Sequence, residues 1–239
     1  MTTATVTGEK RRLRTVFLGN ETPLTRALCR WLANRTDLKL IVWTDLISWP
    51  HRPSIAARIG RRLLARVRRK GVLRVVNEAA YYVIYALILR PGEENRIRQL
   101  TEQFASEIRG DLGDVHQIRP VALRDTRLLE RVRSLDLDAG FATCTHAYFP
   151  KELIRAPRHG VFLWHEGITP EYRGVYPAFW ALYRDDLASI GYSLLRMTDR
   201  LDAGPVFAQG PVSGADFERD WYCYLSAKSV VDSLPEVGR

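Results

Sequence analysis

The sequence predicts an α/β fold, a doubly wound and mostly parallel sheet, from three observations. Short apolar runs alternate with amphipathic stretches of helical length from residue 14 onward. The first two runs are joined by one such stretch, which is the order strand, crossover helix, neighbouring parallel strand. Loops rich in Gly, Pro and acidic residues follow the later runs, where open sheets of this kind bind their ligands.

Each element has its own signal. Arg14–Gly19 (RTVFLG) reads as a buried strand closed by Gly19-Asn20, and Pro23–Asn34 as a helix with Leu24, Ala27, Leu28 and Trp31 on one face. Leu38–Trp43 is the next strand. The turn after the first strand is not Gly-x-Gly-x-x-Gly, which excludes a dinucleotide fingerprint. Ser54–Lys70 has Ile55, Ile59, Leu63 and Val67 spaced by four, an amphipathic helix with Ser54 placed to cap it. Val72–Arg90 continues as a mostly apolar helix, and Pro91-Gly92 breaks it. Glu93–Arg109 is a third helix with Ile97, Leu100, Phe104 and Ile108 inward. These three form a helical insert over about 52–110. A strand near Val115–Ile118 and a helix over Asp125–Ser134 follow. Leu137–Thr143 and Gly160–His165 are further strands, and Pro170–Arg184 mixes a turn with a short helix. Gly191–Met197 and Pro205–Val212 are later strands, and Phe217–Leu234 is a C-terminal helix. Neither an internal repeat nor a low-complexity linker interrupts the chain, so 1–239 reads as a single domain.

Composition narrows the class. Hydrophobic residues are 46% and charged residues 26%, the balance of a globular protein with a real core. Cys29, Cys144 and Cys223 are odd in number and far apart, which excludes a disulfide framework or a zinc cluster. A reducing, cytoplasmic location and no metal are therefore expected. The net charge of +9 is concentrated in 52–74, which holds Arg58, Arg61, Arg62, Arg66, Arg68, Arg69, Lys70 and Arg74. Such a patch is either a solvated helix face or a contact for an anionic partner. Met1–Arg14 lacks the apolar core of a signal peptide. The most apolar stretch, Ala79–Leu89, has 11 residues, against the roughly 20 that span a bilayer, so no membrane span is expected.

The candidate chemistry begins at His165, at the end of a predicted strand. It is followed by Glu166-Gly167-Ile168-Thr169-Pro170-Glu171-Tyr172-Arg173-Gly174, a shaped loop that suits a pocket rim. Further on, Asp199-Arg200-Leu201-Asp202-Ala203-Gly204-Pro205 is a tight acidic turn between two apolar runs. A histidine and a carboxylate facing across a cleft can move protons near neutral pH. By spacing alone, a structural His165 and an ordinary Asp-rich turn explain the same residues.

Gly160–Val212 also resembles the core of the 10-formyltetrahydrofolate-dependent formyltransferases, which include glycinamide ribonucleotide, methionyl-tRNA and sugar-nucleotide enzymes. The family pattern is Asn-x-His, a Leu-Pro or Thr-Pro turn, Tyr-Arg-Gly, a Trp-containing helix and Leu-Asp-x-Gly. This chain has Leu163-Trp164-His165, Ile168-Thr169-Pro170, Tyr172-Arg173-Gly174, Trp180-Ala181-Leu182 and Leu201-Asp202-Ala203-Gly204, in the same order. The resemblance covers about a fifth of the chain in these motifs. It implies formyl transfer to an amine, with His165 and Asp202 as catalytic residues. It implies donor contacts from Phe141, Cys144, Thr145, Met197, Thr198, Asp199 and Leu201, and acceptor contacts from Glu166, Tyr172, Arg173 and Gly174. The expected acceptor is a small-molecule amine, on an amino-sugar nucleotide or a secondary-metabolite precursor. A tRNA acceptor is disfavoured, because only some 27 residues follow Val212 where a methionyl-tRNA enzyme usually carries a second domain. A homodimer is compatible with the pattern.

One position departs from the pattern. The family asparagine, whose amide stabilises the oxyanion, is Leu163 here. Losing one oxyanion donor typically costs about 10²–10³ in rate. Three readings stay open: a substitute donor (Thr145, His146 or a backbone N–H), altered chemistry on the same scaffold, or a non-catalytic binding role.

Overall fold

In a computed structural model, the chain folds around one sheet of seven strands among the described residues. These residues are 11–44, 71–73, 76, 80, 87, 90–106, 108, 110–145 and 147–238. The helix expected over Ser54–Lys70, most of that over Val72–Arg90, and His146 lie outside them. The strands are β1 (Arg14–Gly19), β2 (Asp37–Trp43), β3 (His116–Ile118), β4 (Ala139–Thr143), β5 (Val161–His165), β6 (Gly191–Arg196) and β7 (Val206–Pro211). Their order is β3-β2-β1-β4-β5-β6-β7. Pairing is parallel from β3 to β5 and antiparallel for β5–β6 and β6–β7. The chain thus has the mostly parallel α/β sheet that its sequence predicts.

Side chains of β1 show why the sheet needs two covered faces. Phe17 points to one face and Val16 and Leu18 to the other, and all three are buried. The Phe17 face packs on α1 (Pro23–Arg35), α2 (Arg90–Ser106) and α6 (Tyr222–Val237), through Leu28, Trp31, Phe104, Val230 and Leu234. The opposite face packs on α3 (Thr126–Ser134) and α4 (Lys151–Ile154), through Leu128, Val132 and Leu153. Burying a side chain such as Phe17 or Leu28 contributes roughly 1.5–3 kcal/mol. A smaller cluster of Tyr172, Ala178, Ala181, Ile190 and Leu225 lies under α5 (Pro177–Tyr183).

Helix starts follow their caps. Thr22 accepts the Thr25 N–H at 3.1 Å, Thr25 Oγ1 accepts the Thr22 N–H at 2.8 Å, and Pro23 opens α1. Asp125 Oδ1 accepts the Arg127 N–H at 2.9 Å at the head of α3. Pro91 does not break the chain as expected. It sits in the first turn of α2, where its missing N–H has no helical partner to lose. Helix α6 begins at Tyr222, five residues later than the apolar pattern suggested, and runs to Val237.

Strands β1, β4 and β5 end side by side. Asn20 N donates to Cys144 O at 3.3 Å, and Thr44 N donates to Gly19 O at 2.8 Å. The carboxyl ends of the parallel strands therefore present Asn20, Thr44, Cys144 and His165 along one edge. Among the described residues no helix is long and apolar enough to cross a membrane, and no cluster of His, Cys, Asp and Glu is arranged to hold a metal.

Candidate active site

His165 closes β5 and is 7% exposed. Its Nε2 lies 2.7 Å from the carbonyl oxygen of Tyr172. A carbonyl only accepts, so Nε2 carries the proton and donates. Nδ1 is left facing Asp202, whose Oδ2 is 3.8 Å away. That is longer than a hydrogen bond and within ion-pair distance. Asp202 is also buried, and its Oδ2 accepts the Gly174 N–H at 2.8 Å. Its backbone is left-handed, with φ of 43°. Cys144 (φ 50°) and Tyr176 (φ 57°) share this uncommon conformation. All three line one cleft, so backbone strain gathers there.

The cleft holds about 400 Å³. Its lining includes Cys144, Thr145, Leu163, His165, Glu166, Gly174 and Asp202 from the sheet's edge and loops. Tyr222, Cys223 and Ser226 of α6 close its far wall. Sequence reasoning missed that wall, because it lies more than fifty residues from the His165 motif and carries no motif of its own.

On the opposite face of the sheet, a slot of about 50 Å³ adjoins the cleft. Met197, Thr198, Asp199, Arg200, Leu201 and Asp202 line one side, and Ala147, Tyr148, Phe149 and Ile154 the other. Leu163 and Asp202 are common to slot and cleft. Over the slot, Tyr148 donates its hydroxyl to Asp199 O at 3.4 Å, and Lys151 Nζ lies 3.0 Å from Asp199 Oδ2. The lysine holds the Asp199 carboxyl below the usual carboxylate range. Both partners of that ion pair are more than half exposed, so it is weak.

Several of the cleft's other polar groups engage one another. Thr44 donates to Asn20 Oδ1 at 2.7 Å, which leaves the Thr44 oxygen to accept from Thr145 at 3.0 Å. Thr145 Oγ1 in turn accepts the Ala147 N–H at 3.1 Å. The one hydroxyl proton of Thr145 is therefore directed at Thr44, away from any substrate. Cys144 donates its thiol to Glu166 Oε1 at 3.4 Å. Burial, then the Glu166 charge, push that thiol well above its ordinary range, so it stays protonated.

Three expected site residues stand elsewhere. Phe141 lies on the Phe17 face, stacked on Phe162 at 5.9 Å and tilted against Trp164 at 5.4 Å between ring centres. The Tyr172 side chain is buried under α5, with its hydroxyl on Asp186 Oδ2 at 2.8 Å. Only its carbonyl serves His165, a role no residue identity reveals. Arg173 is exposed on the loop. A wider groove of about 700 Å³, lined by Arg11, Arg12, Arg14 and Lys39 with Asp37, Asp111 and Asp114, holds none of the expected site residues.

His165, at the carboxyl end of parallel strand β5, and Asp202, in the loop after β6, thus form a buried pair at the cleft, with Asp202 reaching the adjoining slot as well. The family model described as formyl transferase matches residues 91–214, just over half of the chain, and the chain belongs to that family. A methionyl-tRNA formyltransferase of Listeria innocua is 29% identical over 164 residues, which cover 66% of this chain and 52% of that protein. The chain thus spans about half the length of the curated relatives it matches. Two solved structures share the fold. Glycinamide ribonucleotide transformylase 1 from Symbiobacterium toebii superposes with a TM-score of 0.55 at 13% identity, covering 95% of this chain and 84% of that one. A sugar N-formyltransferase from Shewanella sp FDAARGOS_354 gives 0.51 at 12% identity, covering 94% and 67%.

These relatives correct one expectation. A tRNA acceptor was disfavoured on the length of chain after Val212, yet the curated relatives are methionyl-tRNA formyltransferases. Chain length beyond the site carries no information about which amine reaches it.

Proposed function

We propose that the chain transfers a formyl group from 10-formyltetrahydrofolate to a primary amine. The observation that carries this reading is the His165–Asp202 pair, with Asp202 and Leu163 common to the slot and the cleft. The slot takes the donor's flat heterocycle. Leu163, Leu195 and Ile154 give it apolar walls, and the backbone of Met197–Asp202 offers hydrogen-bonding edges. At about 50 Å³ it is smaller than the roughly 300 Å³ at which ligand pockets begin, so donor binding parts the Tyr148–Asp199 and Lys151–Asp199 contacts. The 400 Å³ cleft receives the amine.

In this reading His165 Nδ1 accepts the proton that the amine sheds as its nitrogen bonds to the formyl carbon. The ring then carries a proton on both nitrogens. Tyr172 O holds one N–H, and the Asp202 carboxylate offsets the charge. As the bond from formyl carbon to folate nitrogen breaks, His165 returns a proton to the departing nitrogen. Atoms and charge balance without a metal or redox partner. Leu163 has no proton to offer the oxyanion, and the Thr145 proton is engaged. A backbone N–H or the protonated ring takes that part, and catalysis is slower than with a dedicated amide by up to about 10²–10³.

The acceptor is an amine on a small molecule such as an amino-sugar nucleotide, or on methionyl-tRNA, which the sequence relatives favour. The test supplies 10-formyltetrahydrofolate with a panel holding both kinds of amine and reads tetrahydrofolate release. Release with one class names the acceptor, and a steep fall with salt accompanies tRNA. No release with any amine overturns the reading.

A further inference from the structure

We propose that Ser193 and Gln209 are positioning residues that fix the tautomer and orientation of His165. Their role in turnover rests on the formyl-transfer reading, whereas their hold on the imidazole does not.

His165, Ser193 and Gln209 form one row across three strands. His165 is the register partner of Ser193 on β6, and Ser193 is the partner of Gln209 on β7. Directly opposed residues present their side chains on the same face of a sheet. Ser193 is fully buried, so each of its hydrogen-bonding positions has to be met. Its hydroxyl donates to Gly167 O at 2.7 Å, and its oxygen accepts the Thr169 N–H at 3.1 Å and Gln209 Nε2 at 2.8 Å. One donor and two lone pairs are all that a serine has, and all are used. Gln209 Nε2 also donates to Thr169 O at 2.8 Å. Both amide protons are thus placed, and the Thr169 backbone is gripped on both its N–H and its carbonyl.

This clasp holds the loop that in turn holds the histidine. Tyr172 N donates to Ile168 O at 2.9 Å, inside the clasped segment. Tyr172 O then accepts from His165 Nε2 at 2.7 Å. The path from Gln209 to the imidazole is continuous: amide to Thr169, a turn to Tyr172, carbonyl to ring. Release of the loop frees Nε2–H from its acceptor, and Nδ1 is then free to take the proton beside Asp202. In that tautomer the base no longer faces the cleft with a lone pair.

The experiment records the imidazole nitrogen resonances of His165, assigned by comparison with His165→Gln, in the parent and in Ser193→Ala, Gln209→Met, Gln209→Glu and Ser193→Thr. The parent should hold a single Nε2–H form. Ser193→Ala, Gln209→Met and Gln209→Glu should show both tautomers, while Ser193→Thr, which keeps the hydroxyl, should resemble the parent. In the transfer reaction the first three should lose about 10- to 100-fold in kcat with little change in KM, as expected of a misplaced group. Gln209 lies exposed on the edge strand, so its variants fold even if Ser193→Ala does not. Variants that fold and keep the parent's His165 resonances overturn the proposal, whatever their activity. If the parent transfers no formyl group, the formyl-transfer reading fails, and the resonances still decide the clasp.

Discussion

Leu163 stands where the slot meets the cleft. It packs with Met197 against the α3–α4 face and touches both slot and cleft. If the site works without its usual donor, Leu163→Asn should keep or raise formyl transfer, by up to about 10²-fold. Asparagine is close to leucine in volume, and the incoming formyl oxygen partners its amide. If the site serves other chemistry, the same change buries an unpaired amide, costs about 1–3 kcal/mol and lowers the native reaction. Rates of formyl transfer by the two proteins decide between them. At this scale the sequence was legible where side chains act for themselves. The fold brings His165 and Asp202 to 3.8 Å and puts Glu166 and Gly174 on the cleft, whereas Cys144 and Thr145, expected at the donor, line the cleft and not the slot. The sequence was opaque where the backbone acts, as with Tyr172 O and the Gly174 N–H. It was opaque too where alternation along a strand sends a neighbour to the far face, as with Phe141.

The strands were legible to within a few residues, because apolar runs of four to six residues flanked by Gly or Asn have few other uses, whereas the short helix α4 was not read at all and α6 begins five residues later than expected. The antiparallel turn-back of β5, β6 and β7 was not legible, since an apolar run does not state the direction of its neighbour. Pro91 reads as a breaker only if it falls inside a helix, and it falls at the start of one. One tie between elements has a pH signature. Asp138, just before β4, accepts the Arg14 N–H at 2.8 Å and the Arg11 guanidinium at 3.0 Å. First the Arg14 N–H, then Arg11, hold its carboxyl below the usual range. A lowered folded value gives stability that is present above the ordinary value near 4 and is lost as pH falls through the folded value. Asp138→Asn should therefore melt below the parent at neutral pH, and the difference should close below about pH 4. A gap that persists unchanged in acid would show that the charge is not what matters.

Across the whole molecule, the sheet brings loops separated by a hundred residues to one edge, and that placement makes a site of them. The slot is closed by two exposed contacts over Asp199. A folate analogue should part them and, by binding only the folded chain, raise its melting temperature. At 100 times its Kd the gain is about 2.7 kcal/mol. No shift at saturating analogue would mean that the slot is not a folate site. The net charge of +9 leaves both classes of amine acceptor in play, since anionic nucleotides and tRNA are drawn alike. The most direct test of the His165–Asp202 site is a single-turnover experiment with 10-formyltetrahydrofolate labelled in the formyl carbon, comparing the parent with His165→Gln at matched folding. The label should pass to the amine in the parent and fall by several orders of magnitude in the variant. Equal transfer by both proteins would contradict the account.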